Sequence, residues 1–473
     1  MITPYHIYKT AVVTLVFAAT TALLPAQDTL TIERCRSMAL QNNKEIAAAR
    51  QATLSAEYTA KSYRGNFFPN ITASGTGLYS TADGTFASEG GNLPTFSYDA
   101  AGALAADGGF AYFPGFDINY DVNAVFMGAV SVEQPIYTGG QITAAYRMAQ
   151  LGRDIAAAQG TVTATEVIQQ TDEAYADVVK AGEMCKVAKA YSELLGELMR
   201  SVESAFKRGM KPKNDVLKVQ VKMNESELSL RRAENALRLA KMNLCHYIGM
   251  PLDSDITVAT ALPYEEDDGP LQTFDISSRP EHEMLDRQVA AAEQQVKLSR
   301  SELLPKVAAT ANYSYLHGIE VNDRTLLHKG TFAAMLNVSI PLFHFGERKH
   351  KYSAAKAKLE QTRMERDNLN EMMLLELTQA ANNVDEARLE LDIARRSLAQ
   401  AEENVRVSRR QYDAGMESLS DHLEAQTLWQ QAYERSVEAS YALYLAHVAY
   451  RKAAGTLCLS TDLLYTDLTF KPV

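Results

Sequence analysis

The sequence predicts a mainly α-helical protein that also carries membrane β-strands and is internally duplicated. Three observations carry that expectation. Residues from about 130 to 250 recur at about 336 to 456: Pro135 matches Pro341, Gly140 matches Gly346, Gly209 matches Gly415, Met210 matches Met416 and Asp215 matches Asp421, each pair 206 apart. Each copy holds a segment alternating apolar and polar residues, the period of a strand. That segment runs into a long stretch with apolar residues three and four apart, the period of a coiled-coil helix.

The bulk composition narrows the class. The 473 residues include 14 Pro and 25 Gly, and no long Pro/Gly/Ser linker divides them, so one elongated unit is expected. Only 8% of residues are aromatic and Ala is abundant, which favours close helix packing over a thick globular core. A net charge of −11 argues against nucleic-acid binding, which needs a basic face. Cys35, Cys185, Cys245 and Cys458 are far apart with no C-x-x-C spacing, so a disulfide framework is not expected.

Taken in order, residues 1–26 read as a secretory signal. Lys9 precedes an apolar run from Ala11 to Leu24, and Pro25-Ala26 offers a small-residue cleavage site. The alternative is an N-terminal membrane helix, for which the run is short. Beyond it no stretch of about 18 apolar residues exists, so any membrane crossing must use strands.

The first repeat is expected over 27–262. Helix is read over about 30–66, with Thr31 as a cap, until Pro69 stops it. Ile71, Ala73, Gly75, Gly77 and Tyr79 then alternate with Thr72, Ser74 and Thr76. After a long external loop at 81–116, a returning strand alternates Tyr120, Val122, Ala124, Phe126, Gly128, Val130 and Val132 with Asn119, Asp121, Asn123 and Ser131. Apolar-out, polar-in strands of this length suit a membrane barrel.

A helix follows over about 141–207, roughly 100 Å long at ~1.5 Å per residue. Its seam is Val167, Thr171, Ala174, Val178, Ala181, Cys185, Ala188, Ser192, Leu195, Met199, Val202 and Phe206. On that seam Cys185 reads as an inert packing group. The chain turns at Gly209 and returns as a helix over about 215–248.

An acidic linker, 263–278, joins the halves through Glu265-Glu266-Asp267-Asp268. The second repeat, 279–457, restates the plan. It has a helix to Leu304, an outgoing strand with Val307, Ala309, Ala311, Tyr313 and Tyr315 on one face, and a returning strand with Phe332, Ala334, Leu336, Val338 and Ile340. Its long helix spans about 347–413, with a seam from Met373 through Leu377, Val384, Leu391, Leu398 and Val405 to Tyr412 in the register of the first. A turn at Gly415 and a helix over about 420–455 complete it, before a tail at 458–473.

Two strands per repeat make four per chain. A four-stranded sheet in lipid would leave its edge groups unpaired, at several kcal/mol each. Closure therefore calls for copies of the chain, and three copies would give twelve strands.

The opening LTIERCRSMALQNNKEIAAAR, the strand–helix junctions QPIYTGGQ and IPLFHFGE, and the turn YDAGMESLSDHLEAQ resemble TolC-type outer-membrane efflux proteins over essentially the whole mature chain. The resemblance implies a homotrimer: a 12-stranded β-barrel in outer-membrane lipid over a long coiled-coil α-barrel in the periplasm. It also implies a periplasmic adaptor, an inner-membrane transporter, and a role as the outer-membrane channel of a tripartite efflux pump or type I secretion system. No cofactor and no catalytic set are expected.

The same resemblance makes the helical turns the periplasmic tip. Tyr412 and Asp215, with Asn214 beside the latter, resemble a gate-holding pair. Asp421 and Glu424, one helical turn apart, would repeat around an axis as acidic rings that favour cations. The plainer reading of Asp215 and Asp421 is an acid favoured at a helix start, and that of Tyr412 is a seam residue. Glu417 stands where some relatives place a gate arginine. Gly209, Met210, Gly415 and Met416 are candidates for adaptor docking, although turn geometry alone explains the glycines. His344 and His350 lack a third metal ligand, and the Asn-x-Ser/Thr matches at Asn70, Asn312 and Asn337 fall in strands.

Two other functions compete. A periplasmic coiled-coil adaptor or scaffold would carry one helical hairpin between small β domains, not two interrupted by alternating strands. An exported enzyme would need a site that is not evident here.

Overall fold

The computed structural model describes residues 29–122, 124–259, 262, 275–318, 320–322, 324–325 and 328–457. The expected signal at 1–26, most of the linker at 263–278 and the tail at 458–473 lie outside the described residues. The chain divides into two compact units, Met1–Ala56 with Arg153–Val289 and Thr362–Val473, and Glu57–Gly152 with Ala290–Gln361.

The sheets belong to the second unit. Strands β1 (Asn70–Tyr79), β6 (Ala124–Tyr137), β7 (Lys306–His317) and β10 (His328–Ser339) form one antiparallel four-stranded sheet in the order β1-β6-β7-β10. These are the four strands expected, two per repeat. Among the described residues the outer edges of β1 and β10 have no partner strand.

The segment 81–116, expected as a loop, is instead built of strands. β2 (Asp83–Ser88) pairs with β5 (Phe116–Asp121), and β3 (Gly91–Tyr98) pairs with β4 (Leu104–Phe113). Together with β8 (Glu320–Val321) and β9 (Arg324–Thr325), β2 and β5 make a second sheet in the order β2-β5-β8-β9. The single returning strand expected from Asn119 to Val132 is split, with β5 and β6 in different sheets.

The helices set the first unit. α1 (Ile32–Asn42) and α2 (Lys44–Gly65) replace the one helix expected over 30–66. Asn43 breaks it. Its backbone is extended, its Oδ1 accepts from the Glu45 amide at 2.8 Å, and its Nδ2 donates to the Tyr247 carbonyl at 3.1 Å. Thr31 caps α1, accepting from the Arg34 amide at 3.4 Å.

α3 (Gln141–Lys207) and α6 (Glu347–Asp413) are each 67 residues long, and return as α4 (Lys213–Ile248) and α7 (Leu419–Ala453); α5 (Pro280–Ser301) leads into β7. The expected seams are buried or half-buried along both long helices, except for exposed Phe206. α3 buries more than its seam, including Ile168, Tyr175, Val187 and Tyr191.

Within that unit, Arg36 of α1 holds Asp172 of α3 with two hydrogen bonds, 2.7 and 2.6 Å, from Nε and a terminal guanidinium nitrogen. Both are buried. Burial pushes the Asp172 carboxyl up, and the Arg36 guanidinium opposes that. Cys35 and Cys245 are buried nearby in one apolar cluster, unpaired, and burial pushes the Cys35 thiol up to about 12, so it is an inert packing group at neutral pH. Cys185 is half-buried.

One junction departs from its duplicate. Gly139 and Gly140 leave β6 at φ +64° and +86°, and their equivalents are Phe345 at +43° and Gly346 at +83°. A non-glycine residue in this left-handed region costs about 1–2 kcal/mol.

Candidate functional site: the helical tips

The two expected turns have the same backbone. At the first, the Gly209 amide donates to Phe206 O at 2.8 Å and the Met210 amide to Ala205 O at 2.9 Å. At the second, the Gly415 amide donates to Tyr412 O at 3.0 Å and the Met416 amide to Gln411 O at 2.9 Å. This pair of bonds satisfies the last carbonyls of a helix, and it needs a left-handed residue that only glycine adopts cheaply. Gly209 and Gly415 hold φ +77° and +74°. Met210 and Met416 are exposed, at 61% and 76%.

Below the turns, one apolar cluster joins all four long helices: Tyr191, Leu195, Leu198 and Val202 of α3, Val219 of α4, Tyr412 of α6, and Leu419 and Leu423 of α7. Tyr412 is 9% exposed, so its seam position is real packing. Its ring also lies flat on His422, with centroids 5.1 Å apart and planes 6° apart, and the Lys211 ammonium stands 4.7 Å from the ring centroid. Burial, then Asp215 and then Asp413 push the Tyr412 phenol up. Asp215 thus faces Tyr412 electrostatically, but among the described residues no hydrogen bond joins them.

His422 is the residue that sequence reasoning missed. It is buried, and both ring nitrogens are engaged: Nδ1 with Ser408 Oγ at 2.9 Å and Nε2 with Gln426 Nε2 at 3.0 Å. Ser408 Oγ also lies 2.9 Å from Glu417 Oε1. Burial holds His422 below its ordinary value, opposed by Glu417 and Asp413 and reinforced by Arg409. The network is only partly satisfied, because Glu417 Oε2 and Gln426 Oε1 are buried with no partner among the described residues. A cavity of about 110 Å³ opens beside it, lined in part by Tyr412, His422, Gln426, Arg409 and Glu197. Glu417 is thus built into a histidine network. A polar seam position, Ser408, opposite the i, i+4 pair His422 and Gln426 was the available signal.

Asp421 is exposed and belongs to the cap of α7. Its amide donates to Ser418 Oγ at 3.2 Å, and Ser418 Oγ donates to its carboxylate at 2.8 Å. That reciprocal arrangement gives Asp421 a structural role at the helix start. Glu424 and Asn214 are exposed and line one groove between α4 and α7, together with Lys218, whose ammonium donates to Ser420 Oγ at 3.1 Å. Among the described residues no group of three or more His, Cys, Asp or Glu could hold a metal, and no helix is long and apolar enough to cross a membrane.

Comparison with known proteins places this geometry. The model of the outer membrane efflux protein family matches residues 35–250 and 277–456, that is, both repeats. This chain belongs to the outer membrane efflux protein family. The efflux protein is 26% identical to Protein CyaE of Bordetella pertussis over 341 residues, 70% of this chain and 71% of that protein. Its fold is that of the CmeC outer membrane channel of Campylobacter jejuni, with a TM-score of 0.73 at 19% identity over 90% of this chain and 85% of that one. VceC of Vibrio cholerae gives 0.71 at 16% identity, covering 90% and 96%, and the open-state MtrE channel of Neisseria gonorrhoeae gives 0.68 at 15%, covering 90% and 89%.

The efflux protein is therefore an outer-membrane channel protein, with its strands in the membrane and its helical tunnel in the periplasm. The strand alternation and the long coiled-coil seams are thus two parts of one channel fold.

Proposed function

We propose that three copies of this efflux protein close into a twelve-stranded barrel and form a passive conduit, gated at its periplasmic tips, for a tripartite efflux pump or a type I secretion system. A periplasmic adaptor docks at the tips around Met210 and Met416, and an inner-membrane transporter supplies the energy. The observation that carries this reading is the sheet order β1-β6-β7-β10, in which, among the described residues, the outer edges of β1 and β10 have no partner strand. In lipid each unpaired edge group costs several kcal/mol, so the edges must pair with other copies.

Gating is supported by the state of the tip. A buried polar atom left without a partner carries a desolvation cost that hydration on opening would relieve. Tyr412 and Ser408 of α6, Glu417 of the second turn, and His422 and Gln426 of α7 form a network that holds such atoms, with Lys211 facing it from the first turn, Asp215 from α4 and Glu197 from α3. Opening would separate the stacked rings and hydrate the buried carboxylate oxygen of Glu417. Asp421 and Glu424, exposed and repeated by symmetry, would ring the entrance with negative charge. In planar bilayers under a salt gradient, Asp421→Ala with Glu424→Ala is expected to reduce cation preference. An unchanged reversal potential would remove the acidic rings from the reading.

A further inference from the structure

We infer that the junction between β10 and α6 docks onto a second copy of this chain, with Phe345 seated against the end of that copy's α2 at Gly65 and Phe68. The inference rests on the closure proposed above and adds the residues that key it.

One chain already holds the equivalent contact between its two repeats. β6 of the first repeat runs beside β7 of the second, down to Tyr137 opposite Val307. Just below, the β6–α3 junction presses on the end of the α5 segment. A Cβ on Gly139 would stand 2.7 Å from Leu304 Cβ and 3.0 Å from the Ser301 carbonyl oxygen. No side chain fits there.

The duplication maps this contact onto new residues. The returning strands and long helices repeat with the shift of 206 that takes Pro135 to Pro341, so Gly139 becomes Phe345. The stems and outgoing strands repeat with the shift of 236 that takes Pro69 to Pro305, so Ser301 and Leu304 correspond to Gly65 and Phe68. Within one chain these two groups belong to opposite edges of the sheet, β10 and β1. They meet only when β10 of one copy pairs with β1 of the next.

The same shifts carry the β6–β7 register onto that new pair, and the side chains fit it. Leu336 falls opposite Gly77, Val338 opposite Gly75 and Ile340 opposite Ala73, a bulky residue against a small one on the apolar face each time. Asn337 falls opposite Thr76 and Ser339 opposite Ser74, polar against polar. A Cβ on Gly77 or on Gly65 would meet nothing within 4 Å in the single chain.

Exposure agrees. Phe345 is 92% exposed and Phe343 75%, with their rings 5.2 Å apart; on the other edge Phe68 is 60% exposed and Ile71 69%. Phe345 also keeps a left-handed backbone that its duplicate fills with glycine. A strained, exposed aromatic ring is uncompensated in the single chain, and a neighbouring stem end would cover it. The fit differs in kind from that at Gly139. No Cβ fits at Gly139, whereas a phenyl ring must be accommodated at Phe345, so the keyed contact requires the second copy's stem end to stand further from this junction than Ser301 and Leu304 stand from Gly139.

The test is a cysteine pair. Phe345→Cys with Phe68→Cys, expressed in the full chain and oxidised in membranes, is expected to give a reductant-sensitive linked oligomer, and neither single variant should. An amine-reactive cross-linker reports assembly independently. Cross-linked oligomers without the disulfide would overturn the keyed contact while closure stood. Strong quenching of Phe345→Trp by brominated lipid, in a Trp429→Phe background that removes the one natural tryptophan, would overturn it too and assign the ring to the bilayer. No oligomer by either chemistry would overturn both readings. Phe345→Gly sharpens the outcome. Strain relief alone predicts an oligomer that survives to a higher temperature in detergent, and the keyed contact predicts dissociation at a lower one.

Discussion

The first tip turns at Gly209 and the second at Gly415, with the same two closing hydrogen bonds and nearly the same φ. Around that shared backbone almost everything else differs. The first turn carries Lys207, Arg208, Lys211 and Lys213, and its return helix starts at Pro212 with no side-chain cap. The second carries Asp413 and Glu417, and Ser418 caps its helix. The long helices diverge as well. Asp172 of α3 is buried against Arg36, whereas its duplicate in α6, Thr378, only donates back to the Leu374 carbonyl at 2.9 Å. The duplication thus conserves what the backbone requires and frees the side chains. One copy anchors the helices, and the other holds a titratable network at the tip.

Substitution at matched positions breaks this comparison most strongly at the anchor. Asp172→Ala leaves Arg36 buried and unpaired, and is expected to cost about 3–5 kcal/mol in denaturant unfolding of the purified protein. Thr378→Ala at the duplicate site should stay within about 0.5 kcal/mol. Similar losses at both sites would mean that the two long helices share their load.

The turns come next. A Cβ at Gly209 or Gly415 meets nothing within 4 Å, so alanine at either site should cost only the left-handed penalty, about 1–2 kcal/mol, equally at both. Unequal values would show that a turn is held by more than its backbone. Ser418→Ala should cost about 1 kcal/mol, the usual worth of a helix cap. Pro212→Ala, with no cap to lose, should stay within about 0.5 kcal/mol.

The smallest effect at neutral pH, and the sharpest on acidification, belongs to His422. Its folded value lies below the ordinary value near 6.5. Sign follows from that depression. The stabilisation from the neutral ring is whole above about pH 6.5 and is lost as pH falls through the folded value. The wild-type tip should therefore open more readily in acid, seen as rising conductance, and His422→Gln should flatten that dependence. An equal acid response in the variant would move the switch to another group.

How much of this was legible depended on periodicity. The bounds of both long helices could be read to the residue because Gly140 and Gly346 precede them and an unbroken seam fills them. The strands at 83–113 were not legible: β3 and β4 bury almost nothing, so no face imposes an alternation on residues such as Ala105, Ala106 and Gly109. The break at Asn43 was hidden because its amide side chain stands in for backbone partners on both sides. Asp172 sits next to seam residue Thr171, and its partner Arg36 lies 136 positions away, which no local pattern reveals. His422 was masked by its place beside apolar Leu423 at the start of a seam.

Channel function requires that the single chain's open sheet become a pore. Detergent-extracted protein added to a planar bilayer is expected to give stepwise, lasting ion conductance at oligomer concentrations. A mature chain recovered from periplasmic fluid as a soluble monomer, silent in the bilayer, would contradict it.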